Sequence, residues 1–178
     1  MNRQEFCQII ADIRKQSTIK MKDICFQMGV MPTAIYRLEK GSNNFEMGNM
    51  MSYIKALQHI LVIEKGQHSY RKNDAQELGS ILALIRKEKA ISQRALAEKA
   101  GYSHLTIANI ERKTTTISID TLLKTVDVLG YTIISKNNNC YGCVYLCYYL
   151  DYSNTLHCCY MWVVFKKRKK STYFVEKI

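Results

Sequence analysis

Apolar and polar positions follow one another twice along the chain in the same order. Shifting the sequence by 72 positions aligns residues 2–63 with 74–135 without a gap, and 12 positions are then identical. Six of these matches fall on apolar residues and one on a glycine, and many other positions exchange one apolar residue for another. Two unrelated helical segments would share this register only by chance, so the pattern predicts an internal duplication. We call residues 2–63 the first repeat and 74–135 the second repeat.

Each repeat is predicted to begin with an amphipathic helix. Asn2 with Glu5, and Asp74 with Glu77, have the spacing of a capping box, which marks the start of a helix. Apolar residues then recur at i, i+3, i+4 and i+7, as on one face of an α-helix. The expected buried stripes are Phe6, Ile9, Ile10 and Ile13 in the first repeat and Leu78, Ile81, Leu82 and Ile85 in the second.

A glycine interrupts the next helical pattern, in the stretch "SQRALAEKAGYSHLTIANIER" at 92–112 and at Gly29 in the first repeat. Gly101 can adopt a positive φ, so the chain can turn sharply between two short helices. Ser103 suits the N-cap of the second short helix, and Pro32 fits the first turn of its counterpart. This arrangement is typical of a helix-turn-helix. The small Ala97 lets the second helix cross close over the first, and the predicted inward positions are Leu96, Ala100, Tyr102, Ile107 and Ile110.

The same stretch resembles the helix-turn-helix of the lambda-repressor/Cro-like (XRE) family. The resemblance covers about 78–135, and 6–63 more loosely. It implies a mainly α chain of two tandem five-helix lambda-repressor-like domains that bind duplex DNA without catalysis. In that family a polar residue opening the motif holds a backbone phosphate, and Gln93 occupies this place; capping the helix is its alternative role. The first repeat has Met21 there, and Lys20 and Lys22 are candidates to replace the contact.

The second helix of each motif carries the residues predicted to read DNA. Asn109 suits adenine, and Leu105 or Thr106 suits a thymine methyl group. Arg37 suits guanine or a phosphate. The two repeats differ at these positions, so two similar half-sites are not expected; a solvated helix face is the alternative reading. The candidate DNA-binding residues are Gln93, Ser103, His104, Leu105, Thr106, Asn109 and Arg112 in the second repeat and Thr33, Tyr36 and Arg37 in the first.

Other positions of the motif have different expected roles. Ala108 is expected to be exposed beside the reading residues. The resemblance assigns Glu39 and Glu111 a structural role, because the family closes the motif with a carboxylate there.

A β-branched run ends each repeat, "HILVI" at 59–63 and "YTIIS" at 131–135. We expect these runs to pair antiparallel about a pseudo-twofold axis, so that one chain imitates a dimer. The alternative is that each run ends a last helix packed on its own domain. The predicted domains are a helix-turn-helix domain at 1–63, a linker at 64–73, a second such domain at 74–136 and a tail at 137–178. The protein is then a monomeric pseudo-dimer or a homodimer.

The tail from residue 137 is rich in cysteine and tyrosine and has three readings. The first is a zinc site, and the second is a membrane anchor at 144–165, which its polar residues and tyrosines disfavour. The third is a β-hairpin around "DYSN", and a poorly selected, weakly hairpin-like tail is favoured. The zinc reading would use Cys140, Cys143, Cys147, His157, Cys158 and Cys159.

The overall charge limits the classes of function that are expected. A net charge of +11 indicates a polyanionic partner, with nucleic acid first. Charged residues interrupt the N-terminal region and the seven cysteines are an odd number, which predicts a cytoplasmic protein without a leader. No catalytic set is visible in the sequence, so we expect no enzyme, cofactor or metal. The predicted function is a sequence-specific double-stranded DNA-binding regulator, of repressor or antitoxin type. The alternative is a protein-interaction module that binds a toxin or another protein.

Overall fold

Eight helices and three strands form in the part of the chain that the computed structural model describes, residues 1–72 and 74–138. The zinc, anchor and hairpin interpretations of the tail concern residues from 139 onward, which lie outside the described residues. The elements are α1 (Arg3–Gln16), α2 (Met21–Met28), α3 (Pro32–Lys40), α4 (Met47–Ala56), β1 (His59–Lys65), β2 (His68–Lys72), α5 (Ala75–Glu88), α6 (Gln93–Ala100), α7 (His104–Glu111), α8 (Ile119–Val128) and β3 (Thr132–Asn137).

The helices recur with the period of the sequence. Helices α1, α2 and α4 begin and end 72 residues before α5, α6 and α8, while α3 and α7 begin 72 residues apart. Each repeat therefore has four helices, and the expectation of five was wrong. The β-branched run after α4 and after α8 favours an extended backbone, so a strand takes the place of a fifth helix. Among the described helices, none combines the length and the apolar character needed to cross a bilayer.

Helix starts are set largely by side-chain caps. The predicted capping box of Asn2 and Glu5 is confirmed at the start of α1. At α5, Asp74 caps the helix by accepting the backbone N–H of Gln76 instead. The predicted apolar stripe of α1 is wrong at Ile9, which is 47% exposed although its counterpart Ile81 is buried. The remaining stripe positions of α1 and α5 pack into or against one hydrophobic core that both repeats share.

The predicted linker at 64–73 is largely a β-hairpin. Strand β1 continues to Lys65, the chain turns at Gly66 with φ +57, and β2 runs back antiparallel along β1. The three strands form one sheet in the order β2–β1–β3. The linker assignment was wrong because β2 is too polar to show an apolar alternation. Its backbone pairs with an edge of β1 that would otherwise expose unpaired N–H and C=O groups.

The pairing of β1 with β3 confirms the antiparallel contact predicted between the ends of the repeats. Val62 pairs with Ile134, and these two residues are 72 positions apart. The pairs on either side exchange equivalent positions, since residues 61 and 63 pair with 135 and 133. This register is what an approximate twofold axis through the Val62–Ile134 pair produces.

A second contact between equivalent residues lies just before α4 and α8. Glu46 and Ser118, again 72 positions apart, form an isolated antiparallel bridge. Reciprocal backbone hydrogen bonds flank it, and helix α1 contacts α8 while α5 contacts α4. The same axis therefore relates the helical parts of the two repeats. The flanking bonds run from Met47 N–H to Ile117 O and from Ile119 N–H to Phe45 O, each 2.9 Å.

Candidate nucleic-acid interface

The turn between α6 and α7 has the predicted geometry. Gly101 ends α6 with φ +67 and ψ 35, in the left-handed region that favours glycine. Its N–H and that of Tyr102 donate to carbonyls of the last turn of α6. Ser103 then caps α7, because its hydroxyl accepts the backbone N–H of Thr106 at 3.1 Å. Gly29 has φ +65 at the equivalent place, so the sharp turn predicted in both repeats is confirmed.

The inner faces of α6 and α7 are packed together. The predicted inward residues are buried, with the exception of Tyr102. Tyr102 is half-buried, and the Lys124 ammonium lies 5.3 Å from the centre of its ring, which is the geometry of a cation–π contact. The turn of the motif is therefore also held by α8. The buried residues are Leu96, Ala97, Ala100, Ile107 and Ile110.

The outer face of α7 differs from the prediction at one residue. Ala108 is only 1% exposed and faces the core with Ile107, so the expectation that it is exposed was wrong. A methyl side chain fits where α7 lies against its neighbours, which is why this position is lost from the outer face. Ser103, His104 and Leu105 are exposed, with Leu105 at 66%.

Asn109 lies farther along α7 and is partly exposed. Its side chain makes no hydrogen bond to any residue of the described chain, so its amide is available to a ligand. Its backbone carbonyl accepts hydrogen bonds from the N–H and the hydroxyl of Thr114, which hold the end of α7 in place. Arg112 follows as the exposed C-cap residue of the helix.

Beneath the motif lies a buried ion pair between Arg86 of α5 and Glu111 of α7. The guanidinium donates two hydrogen bonds to the carboxylate, at 2.6 and 2.8 Å, and a third to the Ile91 carbonyl at 2.7 Å. Burial alone would raise the pKa of Glu111, but hydrogen bonds from Arg86 and Gln93 bring it below its usual value of 4.5. Glu111 therefore has the structural role that the sequence predicted.

Gln93 completes this network. Its side-chain amide donates to Glu111 Oε2 at 2.7 Å. The alternative that Gln93 caps α6 is wrong, since Ser92 is the N-cap and accepts the N–H of Ala95. An amide NH₂ carries two hydrogens, and one remains for a second acceptor. The contact with Glu111 thus orients Gln93 at the first turn of α6.

An open cleft of about 560 Å³ lies at this place, and we call it the α6 cleft. It brings Gln93 of α6 and His104 of α7 together, with Arg94 exposed beside them. The cleft is positively charged, and the N-terminal ends of both helices adjoin it. Sequence reasoning missed Arg94, although a cation next to Gln93 in the first helical turn was the available signal. The lining residues are Arg86, Ser92, Gln93, Arg94 and His104.

The first repeat has the same ion pair with a different third partner. Arg14 donates to Glu39 at 2.5 and 3.0 Å, as Arg86 does to Glu111. Met21 cannot supply the hydrogen bond that Gln93 makes, and the Tyr53 hydroxyl donates to Glu39 instead. Burial and this hydrogen bond raise the pKa of Tyr53 well above its usual value of 10. Each carboxylate therefore has a third donor, taken from a different element.

Thr125 stands at the position equivalent to Tyr53, and its buried hydroxyl has no hydrogen-bond partner within the described residues. We expect Thr125→Val to raise the free energy of unfolding by about 1 kcal/mol, because valine keeps the shape and removes an unsatisfied polar group. Tyr53→Phe is the matched control and should destabilise by about 1–3 kcal/mol, since Glu39 loses a donor. Urea unfolding measures the stability of both variants. A Thr125→Val protein less stable than wild type would contradict the unpaired hydroxyl.

The outer face of the first repeat is more apolar than that of the second. Thr33, Tyr36 and Arg37 are exposed on α3, as predicted. Phe26 on α2 is 90% exposed and Met31, before α3, is 72% exposed. The equivalent residues of the second repeat are a glutamate and a serine. The two repeats therefore share a frame and present different surfaces.

Residues 82–134 match the model of the Helix-turn-helix family. The match runs from within α5 into β3 and includes the whole helix-turn-helix, the turn at Gly101 and the outer face of α7. No curated protein and no solved structure was found to match the chain.

Proposed function

We propose that this protein is a sequence-specific double-stranded DNA-binding regulator built from two fused helix-turn-helix domains. The observation that carries the proposal is the outer face of α7, which lies within the matched region, is exposed, and ends in a basic cleft. A second helix of this kind enters the major groove with its N-terminal residues at the base edges. Ser103, His104, Leu105 and Thr106 occupy those N-terminal positions in α7.

The α6 cleft suits a phosphate of the DNA backbone. Backbone N–H groups at a helix N-terminus attract anions, and the ends of α6 and α7 meet here. Arg94 adds an exposed positive charge, and Gln93 has a free amide hydrogen. Phosphate contacts fix the register of a protein on the duplex, so the cleft would place α7 in the groove. This role for Gln93 is the one that the family resemblance implies.

The fused arrangement is supported by the axis through Val62–Ile134 and Glu46–Ser118. Dimeric helix-turn-helix proteins bind two half-sites about 34 Å apart. Lys40 lies six positions before Glu46, and Glu111 lies seven positions before Ser118. Since an extended chain covers at most about 3.6 Å per residue, α3 and α7 each end within about 25 Å of the axis. Two reading helices on one chain would then serve both half-sites without a second subunit.

The proposed role is that of a repressor or an antitoxin-type regulator acting in the cytoplasm, and not that of an enzyme. The charge of +11 and the absence of a catalytic set in the sequence support a binding protein. A second candidate is a protein-interaction module that binds a toxin or another protein. The exposure of Phe26 and Met31 in the first repeat favours it.

Selection of bound duplexes from random DNA tests the proposal. A regulator should enrich a defined sequence, and its binding constant should fall with salt by roughly one logarithmic unit per phosphate contacted for each tenfold increase in salt. Arg94→Gln should lower that slope and weaken binding to all sequences alike. Enrichment of no sequence by the full chain contradicts the proposed function and favours the protein-interaction module.

Asn109→Ala tests base reading by α7. We expect the variant to lose about 1–3 kcal/mol of discrimination at one base position, because the amide pairs with both hydrogen-bonding groups of adenine. Quantitative binding to all single-base variants of the selected site measures this loss. Glu98→Ala, on an exposed position of α6, is the control. Unchanged discrimination at every position would remove Asn109 from the reading residues.

A further inference from the structure

The approximate symmetry brings Arg37 and Asn109 to equivalent places. They are 72 positions apart, Arg37 on α3 and Asn109 on α7. Arg37 is exposed and Asn109 is partly exposed. Neither side chain makes a hydrogen bond or an ion pair with another described residue. Each repeat therefore offers one unpartnered polar side chain at the same point of its reading helix.

The charges around these two residues are alike in both repeats. Lys22 and Arg94 occupy equivalent positions in the first turn of α2 and α6. Lys40 and Arg112 occupy equivalent positions at the ends of α3 and α7. All four of these flanking cations are exposed. Cations bind phosphates without regard to base sequence. The phosphate contacts of these four cations are therefore expected to be symmetric, whatever the bases are, while Gln93 and its counterpart Met21 differ.

The equivalent polar residues differ in the base that they suit. Arginine pairs with the O6 and N7 acceptors of guanine, whereas the asparagine amide both accepts from and donates to adenine. An arginine has no acceptor, so it cannot satisfy the N6 amino group of adenine. The position that is equivalent in structure is thus chemically different in the two halves.

We propose that the protein reads an asymmetric two-part DNA site, with guanine facing Arg37 in one half and adenine facing Asn109 at the symmetry-related position of the other. The proposal rests on the proposed function. The contacts of the four matched cations would accept the duplex in either direction, whereas this pair of residues favours one direction. A fused pair of unequal reading helices would bind in one orientation, which a dimer of identical chains on a symmetric site does not.

Exchange of the two residues in the full-length protein tests the proposal. Wild type should select a site with guanine and adenine at the two related positions. Arg37→Asn should prefer adenine at both, and Asn109→Arg should prefer guanine at both, each by about 5- to 150-fold over the wild-type site. Circular dichroism of each variant confirms that the helices remain, and wild-type selection decides the question if a variant fails to fold.

The double exchange Arg37→Asn/Asn109→Arg is a second test of the proposal. It should select a site in which the guanine and the adenine are exchanged, because the other reading residues of each repeat keep their places. Binding of the wild-type site and of the exchanged site to both proteins measures this change of preference. A selected site with the same base at both positions, or a double variant that still prefers the wild-type site, overturns this inference alone. Selection of no sequence overturns it together with the proposed function.

Discussion

Replacing Glu111 with alanine is expected to lower the free energy of unfolding by about 3–5 kcal/mol. The side chains of Arg86 and Glu111 are only 10% and 6% exposed. Removal of the carboxylate leaves the guanidinium buried without a counter-charge, and it also removes the acceptor of the Gln93 amide. The loss therefore exceeds the net value of the ion pair, because a desolvated charge is left unmatched.

Asp12→Ala is the matched control, since Asp12 and Lys15 form an ion pair whose side chains are about half exposed. Water screens such a pair, so stability should remain nearly unchanged. Urea unfolding of both variants at neutral pH gives the comparison. An equal effect of the two substitutions would contradict a buried ion pair in the second repeat.

Lowering the pH should remove the stabilising contribution of Glu111 to the folded state without any substitution. Its pKa in the folded protein lies below the usual value of 4.5, so the folded state binds this proton more weakly than the unfolded state. The stabilisation is present above about pH 4.5 and is lost as the pH falls through the lower, folded pKa. Glu111→Gln should show a shallower loss of stability in this range than wild type does.

The local signals in the sequence predicted the frame of the motif. Gly101 and Ser103 act through backbone conformation and a cap, both of which depend on near neighbours, and both have the predicted geometry. The contact of β1 with β3 was also predictable, although the strands are distant in sequence. Runs at equivalent places of two repeats can meet on a twofold axis, where each run pairs with its counterpart.

Other features depend on neighbours that the sequence does not reveal. Strand β2 has no apolar alternation, and it forms because β1 has an open edge. Ile9 has the spacing of a core residue yet remains exposed, while Ala108 is buried on the face expected to read DNA. The network that orients Gln93 requires the distance from α6 to the end of α7, which only the folded chain fixes.

Gly79 is a further residue that the sequence pattern did not single out. It lies in α5 where that helix crosses α7, and a Cβ built there would come within 2.1 Å of the Ile110 carbonyl oxygen. The first repeat has Cys7 at the equivalent position. Its own close contact is at Gly41, where a Cβ would lie 3.0 Å from Cys7 Sγ. Each repeat thus places a glycine on a different side of the same helix crossing.

Gly79→Ala is therefore expected to destabilise the protein by about 3 kcal/mol, at the upper end of the cost of overpacking. The obstructing atom belongs to the backbone of α7, which cannot rotate away as a side chain can, so the two helices must separate. Gly48→Ala is the matched control, because Gly48 also lies within a helix but has open space where the Cβ would be. Alanine restricts the unfolded chain and favours the helix, so this variant should be more stable by about 0.5–1 kcal/mol. The midpoints of thermal and urea unfolding should then shift in opposite directions for the two substitutions. A Gly79→Ala protein as stable as wild type would contradict the close crossing of α5 and α7 that holds α7 in place.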